Sequence, residues 1–207
     1  MRIRSRVEKL GIWHDIPQYS GTRVMMMPVL LEDADSLPNR FWRSTFAMLA
    51  NHAPVRRGVA YITIDEAIVK AGECHRRPGL HVDGLGGWGG PSPWASSGML
   101  LWASVRGAHA WRGELDVEFD DDGGCEGARA SLNGLTEVPL QGGCVYQCGP
   151  FTIHESVPMR VETLRSFARL SMPSDSPWFE GYTPNPLGVK PTGPILPRRV
   201  AQMGYRA

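Results

Sequence analysis

Long hydrophobic runs are absent from this 207-residue chain. The apolar run Val24 to Leu31 has eight residues and includes Pro28, far short of the roughly 20 that cross a bilayer as a helix. It reads as a buried strand. The basic start Met1-Arg2-Ile3-Arg4-Ser5-Arg6 leads into no unbroken apolar segment of the secretory type, so a cytoplasmic location without membrane contact is the expectation. An excess of one charge is also missing: 22 Lys and Arg face 21 Asp and Glu, for a formal net charge of +1. A chain without a basic stripe lacks the electrostatic footprint of a nucleic-acid binder. Cysteine is scarce, with Cys74, Cys125, Cys144 and Cys148 too few for a disulfide scaffold. Cys144 and Cys148 share one face of a strand, but the two further ligands that zinc would need are missing at sensible spacing, so they read as packing residues. No internal repeat or low-complexity tract is present.

What the chain does contain is β-texture. Val59, Tyr61 and Thr63 begin one strand, and further short runs cover Met99 to Val105, Ala110 to Phe119, Thr136 to Leu140, Cys144 to Cys148, Phe151 to His154 and Leu164 to Met172. Turn residues separate them, the signature of a sandwich or barrel. Ahead of them, residues 22–31 form a strand. A helix is expected from Ser36 to about Ala50, with Ser36 as its N-cap and Pro38 in its first turn. Leu37, Phe41, Trp42, Phe46 and Leu49 give that helix an apolar stripe. The whole of 1–207 reads as a single domain: an N-terminal strand and helix over 1–57, a β core over 58–172 and a Pro-rich strap over 173–207. Within the strap, Trp178, Phe179 and Tyr182 are apolar enough to lie against the core or a second subunit, so a homodimer stays open. The glycine-rich stretch from Gly84 to Gly98, carrying Trp88 and Trp94, predicts a long loop rather than a regular strand, and loops of that length are commonly functional.

The chemistry lies in His81-Val82-Asp83, answered 71 residues after Asp83 by His154. On extended backbone, side chains two residues apart point the same way, so His81 and Asp83 share a face. A second histidine from a neighbouring strand completes the two-His, one-carboxylate set that holds non-haem Fe(II) with open coordination positions. Further on, Arg165, Phe167, Arg169 and Ser171 alternate along one face of a strand. Two arginines on an inward face are costly to bury unless they meet anions, and guanidinium pairs with carboxylates in bidentate fashion. His75 is a competing ligand, six residues before His81; alternatively it joins Arg76 and Arg77 in a basic rim for an acidic substrate. Trp88 and Trp94 are candidate covers over the site. His14, His52 and His109 read as structural, and Trp102 and Trp111 as core.

At His81-x-Asp83, at His154 within Phe-Thr-Ile-His-Glu-Ser-Val-Pro, and at an arginine 11 residues beyond it, the chain resembles the Fe(II)/2-oxoglutarate-dependent oxygenases of the double-stranded β-helix (jelly-roll, cupin-like) fold. The likeness covers roughly residues 58–172. It implies a mostly β protein with a flanking N-terminal helix. It also implies a dioxygenase that holds iron through His81, Asp83 and His154, decarboxylates 2-oxoglutarate to succinate and CO₂, and oxidises a small or peptide-borne substrate, usually by hydroxylation. Arg165 sits at the common offset for the arginine that holds the co-substrate, Arg169-x-Ser171 resembles an Arg-x-Ser pair used for the same task, and a branch with two arginines uses one for an anionic substrate. Asp83, in place of Ala or Gly, implies hydroxylation-type chemistry rather than halogenation. Two other readings stand beside it: a cupin-like metalloenzyme that does not use 2-oxoglutarate, and a non-enzymatic jelly-roll module that binds through its Trp-rich loop.

Overall fold

The computed structural model describes residues 1–83, 85–86, 90–91, 98–172 and 177–197. The chain is mostly β, and its two main sheets are antiparallel. The larger joins β2 (Val7–Ile12), β10 (Cys144–Cys148), β7 (Met99–Ala103), β12 (Thr163–Ser171), β4 (Val59–Val69) and β3 (Arg23–Leu30), in that order. The smaller centres on β8 (Ala108–Asp116), which pairs with β1 (Arg2–Ser5), β9 (Thr136–Pro139) and β11 (His154–Ser156). Three strands from residues 1–57 thus enter the two sheets. The basic start is strand because Ile3, Ser5 and Val7 alternate with arginines, putting the uncharged residues inside and the charges in water.

A period of two sorts the large sheet into two faces. Outward, Ile62, Ile64, Leu100, Trp102, Val145, Ala168 and Leu170 pack against Phe46, Leu49, Trp42 and Leu37. Those last residues belong to helix α1 (Arg43–His52) and the turns before it. Each such aliphatic or aromatic side chain contributes about 1.5–3 kcal/mol when fully buried. Inward, Met99, Leu101, Cys144, Tyr146 and Cys148 meet Ala110 and Leu140 of the smaller sheet's side. A further core, beneath the smaller sheet, gathers Leu80, Val82, Trp111, Leu115, Cys125 and Ile153.

The helix starts later than the sequence predicts. Two 3₁₀ turns, Ala34–Ser36 and Arg40–Trp42, precede it, with Asp33 and Asn39 as their side-chain caps. The Ser36 hydroxyl is engaged elsewhere, accepting from Leu30 N and donating to Asp33 O. It therefore caps no helix. The helix ends at His52, and Ala53 is extended, as the following Pro54 disfavours helical backbone before it. Within the glycine-rich loop, regular pairing is confined to β5 (Leu85–Gly86) and β6 (Gly90–Pro91) among the described residues. In the strap, β13 (Trp178–Phe179) runs parallel to β14 (Ile195–Leu196). Trp178 packs on Met26 and Tyr61 and donates its indole N–H to Met26 O at 2.9 Å. Asn185 Nδ2 lies 2.8 Å from both the Pro28 and Ser36 carbonyl oxygens. The strap is tied to the β3 side of the large sheet. Among the described residues no helix is long and apolar enough to cross a membrane.

Candidate metal centre

His81 and His154 are backbone partners. Each amide donates to the other's carbonyl at 3.0 Å, and His81 pairs on its other side with Gly124. The pairing extends the smaller sheet by one residue beyond β11, with no regular strand at 81–83. Neighbouring side chains fix which way the ligands point: Val82 and Ile153 go down into the core under the sheet, so His81, Asp83 and His154 face the space between the sheets. That space, about 660 Å³ including its open mouth, is lined by the three residues together with Leu101, Tyr146, Arg165, Phe167 and Arg169, among others.

One ligand atom from each of His81, Asp83 and His154 lies within 4.8 Å of the other two. Two ligands at right angles, each about 2.1 Å from one ion, are about 3 Å apart, and His154 Nε2 is already 3.6 Å from Asp83 Oδ2. Both imidazoles are oriented from behind: His81 Nδ1 donates to Gly79 O at 2.8 Å and His154 Nδ1 to Thr152 O at 2.9 Å. Arrangements of this kind fix the tautomer and leave Nε2 as the lone-pair donor to a metal. Burial, and then the neighbouring His154, lower the His81 pKa to about 3, so the ring is neutral as ligation requires. Burial opposes ionisation of Asp83, but Arg169, His154 and His81 outweigh it and hold the carboxyl well below the usual range. This donor set fits a divalent transition metal. Among the described residues no other group of three His, Cys, Asp or Glu meets that distance test. Cys148 is instead a buried thiol pushed up to about 12, by burial first and then by the Asp83 charge.

The arginines of β12 divide. Arg169 Nη1 donates to Asp83 Oδ2 at 2.9 Å. Arg165 is only 3% exposed; its Nε donates to Val105 O at 3.3 Å and its Nη1 to His75 Nδ1 at 2.9 Å. Its guanidinium also stands 5.6 Å from the centre of the Phe167 ring. Among the described residues no carboxylate oxygen lies within 4 Å of it. Burial, then Arg76, lower its pKa to about 10, which leaves it charged at neutral pH.

The remaining predicted residues scatter. Arg76 lines the pocket and bonds Asp65 Oδ2 at 2.7 Å, whereas Arg77 reaches the Asp122 carbonyl at 2.8 Å and is not part of the lining. Ser171 lies beyond the lining, with its hydroxyl 3.8 Å from Met26 Sδ. His75 stays outside the ligand cluster, between Arg165 and Asp65. His109 bonds Glu137 and Arg106. Trp102 and Trp111 are core residues, 1% and 7% exposed. Trp88 and Trp94 lie outside the described residues. Sequence reasoning missed Asp65, although it shares the inward parity of Tyr61 and Thr63 on β4 and so signals a buried acid. It also missed Gly107, where a Cβ would stand 2.7 Å from Arg165 Nε.

Scans of this chain against protein-family models, curated proteins and solved structures return no match.

Proposed function

We propose that the protein is a non-haem Fe(II)/2-oxoglutarate-dependent dioxygenase, with its two facing sheets forming a double-stranded β-helix. The observation that carries this reading is the coincidence of two features in one pocket. Three convergent metal donors, His81, Asp83 and His154, share it with the buried Arg165 guanidinium, which among the described residues has no carboxylate oxygen within 4 Å and feels Asp65 only from farther off. A buried unpaired charge is strongly destabilising, so an anionic ligand is the natural complement. Iron at the three donors supplies O₂ activation coupled to oxidative decarboxylation of 2-oxoglutarate. Arg165 takes the co-substrate's distal carboxylate; Arg169, already joined to Asp83, is left to meet an anionic substrate. Leu101, Leu140 and Phe167 supply the apolar wall that keeps water from the reacting groups.

The test is anaerobic addition of Fe(II) and then 2-oxoglutarate, watching for the weak visible charge-transfer band of the chelated complex. The band is expected in wild type and absent in His81→Ala. Metal binding without the band would favour a cupin-like metalloenzyme that does not use 2-oxoglutarate. No metal binding at all would leave a binding module.

A further inference from the structure

Arg165 can only donate hydrogen bonds, so the imidazole nitrogen that meets its Nη1 must be an acceptor. His75 Nδ1 meets it at 2.9 Å. A neutral ring with Nδ1 unprotonated carries its proton on Nε2, and His75 Nε2 faces Asp65 Oδ1 at 3.5 Å. That contact is not a hydrogen bond, and among the described residues the buried Nε2 has no hydrogen-bond partner, but the carboxylate is close enough to attract the Nε2 proton electrostatically. Both partners are deeply buried, with side-chain exposures of 4% and 6%. The same carboxylate holds Arg76 through Oδ2 at 2.7 Å and Arg23 through Oδ1 at 3.0 Å, which keeps a second cation at the pocket wall from standing unbalanced. On Arg165's other sides are the Val105 carbonyl, Gly107 and the Phe167 ring. Among the described residues Nη2 has no hydrogen-bond partner, so the side chain is fixed by Nε and Nη1 and keeps Nη2 for a ligand.

We propose that His75 is the positioning residue of Arg165, and that Asp65 selects the ring tautomer which does it. The inference rests on the co-substrate reading of Arg165. Neither His75 nor Asp65 touches the metal donors; they act by fixing where the guanidinium points. A long side chain held before its ligand arrives loses less freedom on binding, so the relay acts on co-substrate affinity and leaves metal affinity alone.

Two variants and two readouts test it. His75→Phe keeps a ring and removes the acceptor; His75→Asn restores an acceptor near the position of Nδ1. Anaerobic titration of the Fe(II)-loaded protein with 2-oxoglutarate should show at least tenfold weaker binding for His75→Phe. His75→Asn should stay within about threefold of wild type, and all three should take up Fe(II) alike. Independently, ¹⁵N spectra should show an Nε2-protonated His75 tautomer and a slowly exchanging Arg165 Nη1–H in wild type. The latter should be lost in His75→Phe and retained in His75→Asn. Unchanged affinity and an unchanged Arg165 signal in His75→Phe would overturn the proposal, as would an Nδ1-protonated His75 or failure of Asn to rescue. If wild type takes up iron but not 2-oxoglutarate, while His75→Phe still releases Arg165, the co-substrate reading falls and the positioning contact stands.

Discussion

Arg169 Nη1 and Asp83 Oδ2 are 2.9 Å apart, so the carboxylate of the candidate metal site is also one half of an ion pair. A metal at the three donors competes with the guanidinium for the carboxylate's charge. Arg169→Gln removes the competitor and the local positive charge, so divalent-metal affinity at neutral pH should rise by about tenfold, the equivalent of ~1.4 kcal/mol. Metal titration of wild type and variant by calorimetry checks it. Weaker binding in the variant would mean that Arg169 serves mainly to orient Asp83.

Removing a donor should act in the opposite sense. His81→Ala, Asp83→Ala and His154→Ala should each lower metal affinity by a hundredfold or more. Each should also cut the thermal stabilisation that a metal present at about 100 times its wild-type Kd confers from ~2.7 to ~0.4 kcal/mol or less. Melting curves with and without Fe(II) or Mn(II) read this directly. A variant that keeps the full metal-dependent shift would remove that residue from the site.

Much of this site was legible in the sequence because its logic is periodic. The inward run Arg165, Phe167, Arg169 on β12 follows from alternation alone, and so does the shared orientation of His81 and Asp83 about the core residue Val82. The partnership of Arg165 with His75 was not legible, since it joins a loop to a strand 90 residues away through side-chain contact. No local pattern encodes that distance. The onset of α1 was misjudged for a related reason: Ser36 looks like a cap, yet tertiary bonds to Leu30 and Asp33 take its hydroxyl. The first two strands escape a reading that weighs the basic start only as a leader segment, although Ile3, Ser5 and Val7 alternate with the arginines.

Gly107 leaves room for Arg165. A Cβ there would lie 2.7 Å from Arg165 Nε and 2.8 Å from Met159 Cε, closer than atoms pack, so Gly107→Ala must displace the guanidinium. Its 2-oxoglutarate affinity should fall about tenfold with metal affinity unchanged, and overpacking should cost ~1–3 kcal/mol of stability. Equal losses of metal and co-substrate would instead indicate a general disturbance of the pocket.

Acid should loosen the metal-free protein through His81. Its folded pKa is lowered to about 3, by burial first and then by His154, whereas an unfolded histidine titrates near ~6.5. As pH falls, the unfolded chain takes up this proton before the folded one, so the unfolded state gains. The stability present above pH ~6.5 is lost as pH falls toward the folded value, with a slope approaching ~1.4 kcal/mol per pH unit from this group. Urea midpoints between pH 7.5 and 4.5 should show that slope in wild type, and His81→Asn should flatten it. An equally steep variant would assign the acid sensitivity elsewhere.

Trp42 tests the packing of α1 against the large sheet. It is fully buried and meets Trp102 edge-on, with centroids 6.0 Å apart and planes at 83°. Its indole Nε1 is buried without a hydrogen-bond partner among the described residues. Trp42→Ala leaves a large cavity and should cost ~3–5 kcal/mol. Trp42→Phe gives up less volume and removes the unsatisfied N–H, which itself costs ~1–3 kcal/mol to bury. The two effects oppose, so the net loss should stay under ~1.5 kcal/mol. Urea unfolding with unchanged m values measures both variants. If Phe proves as costly as Ala, the indole N–H is stabilising after all, and a buried partner such as an ordered water must satisfy it.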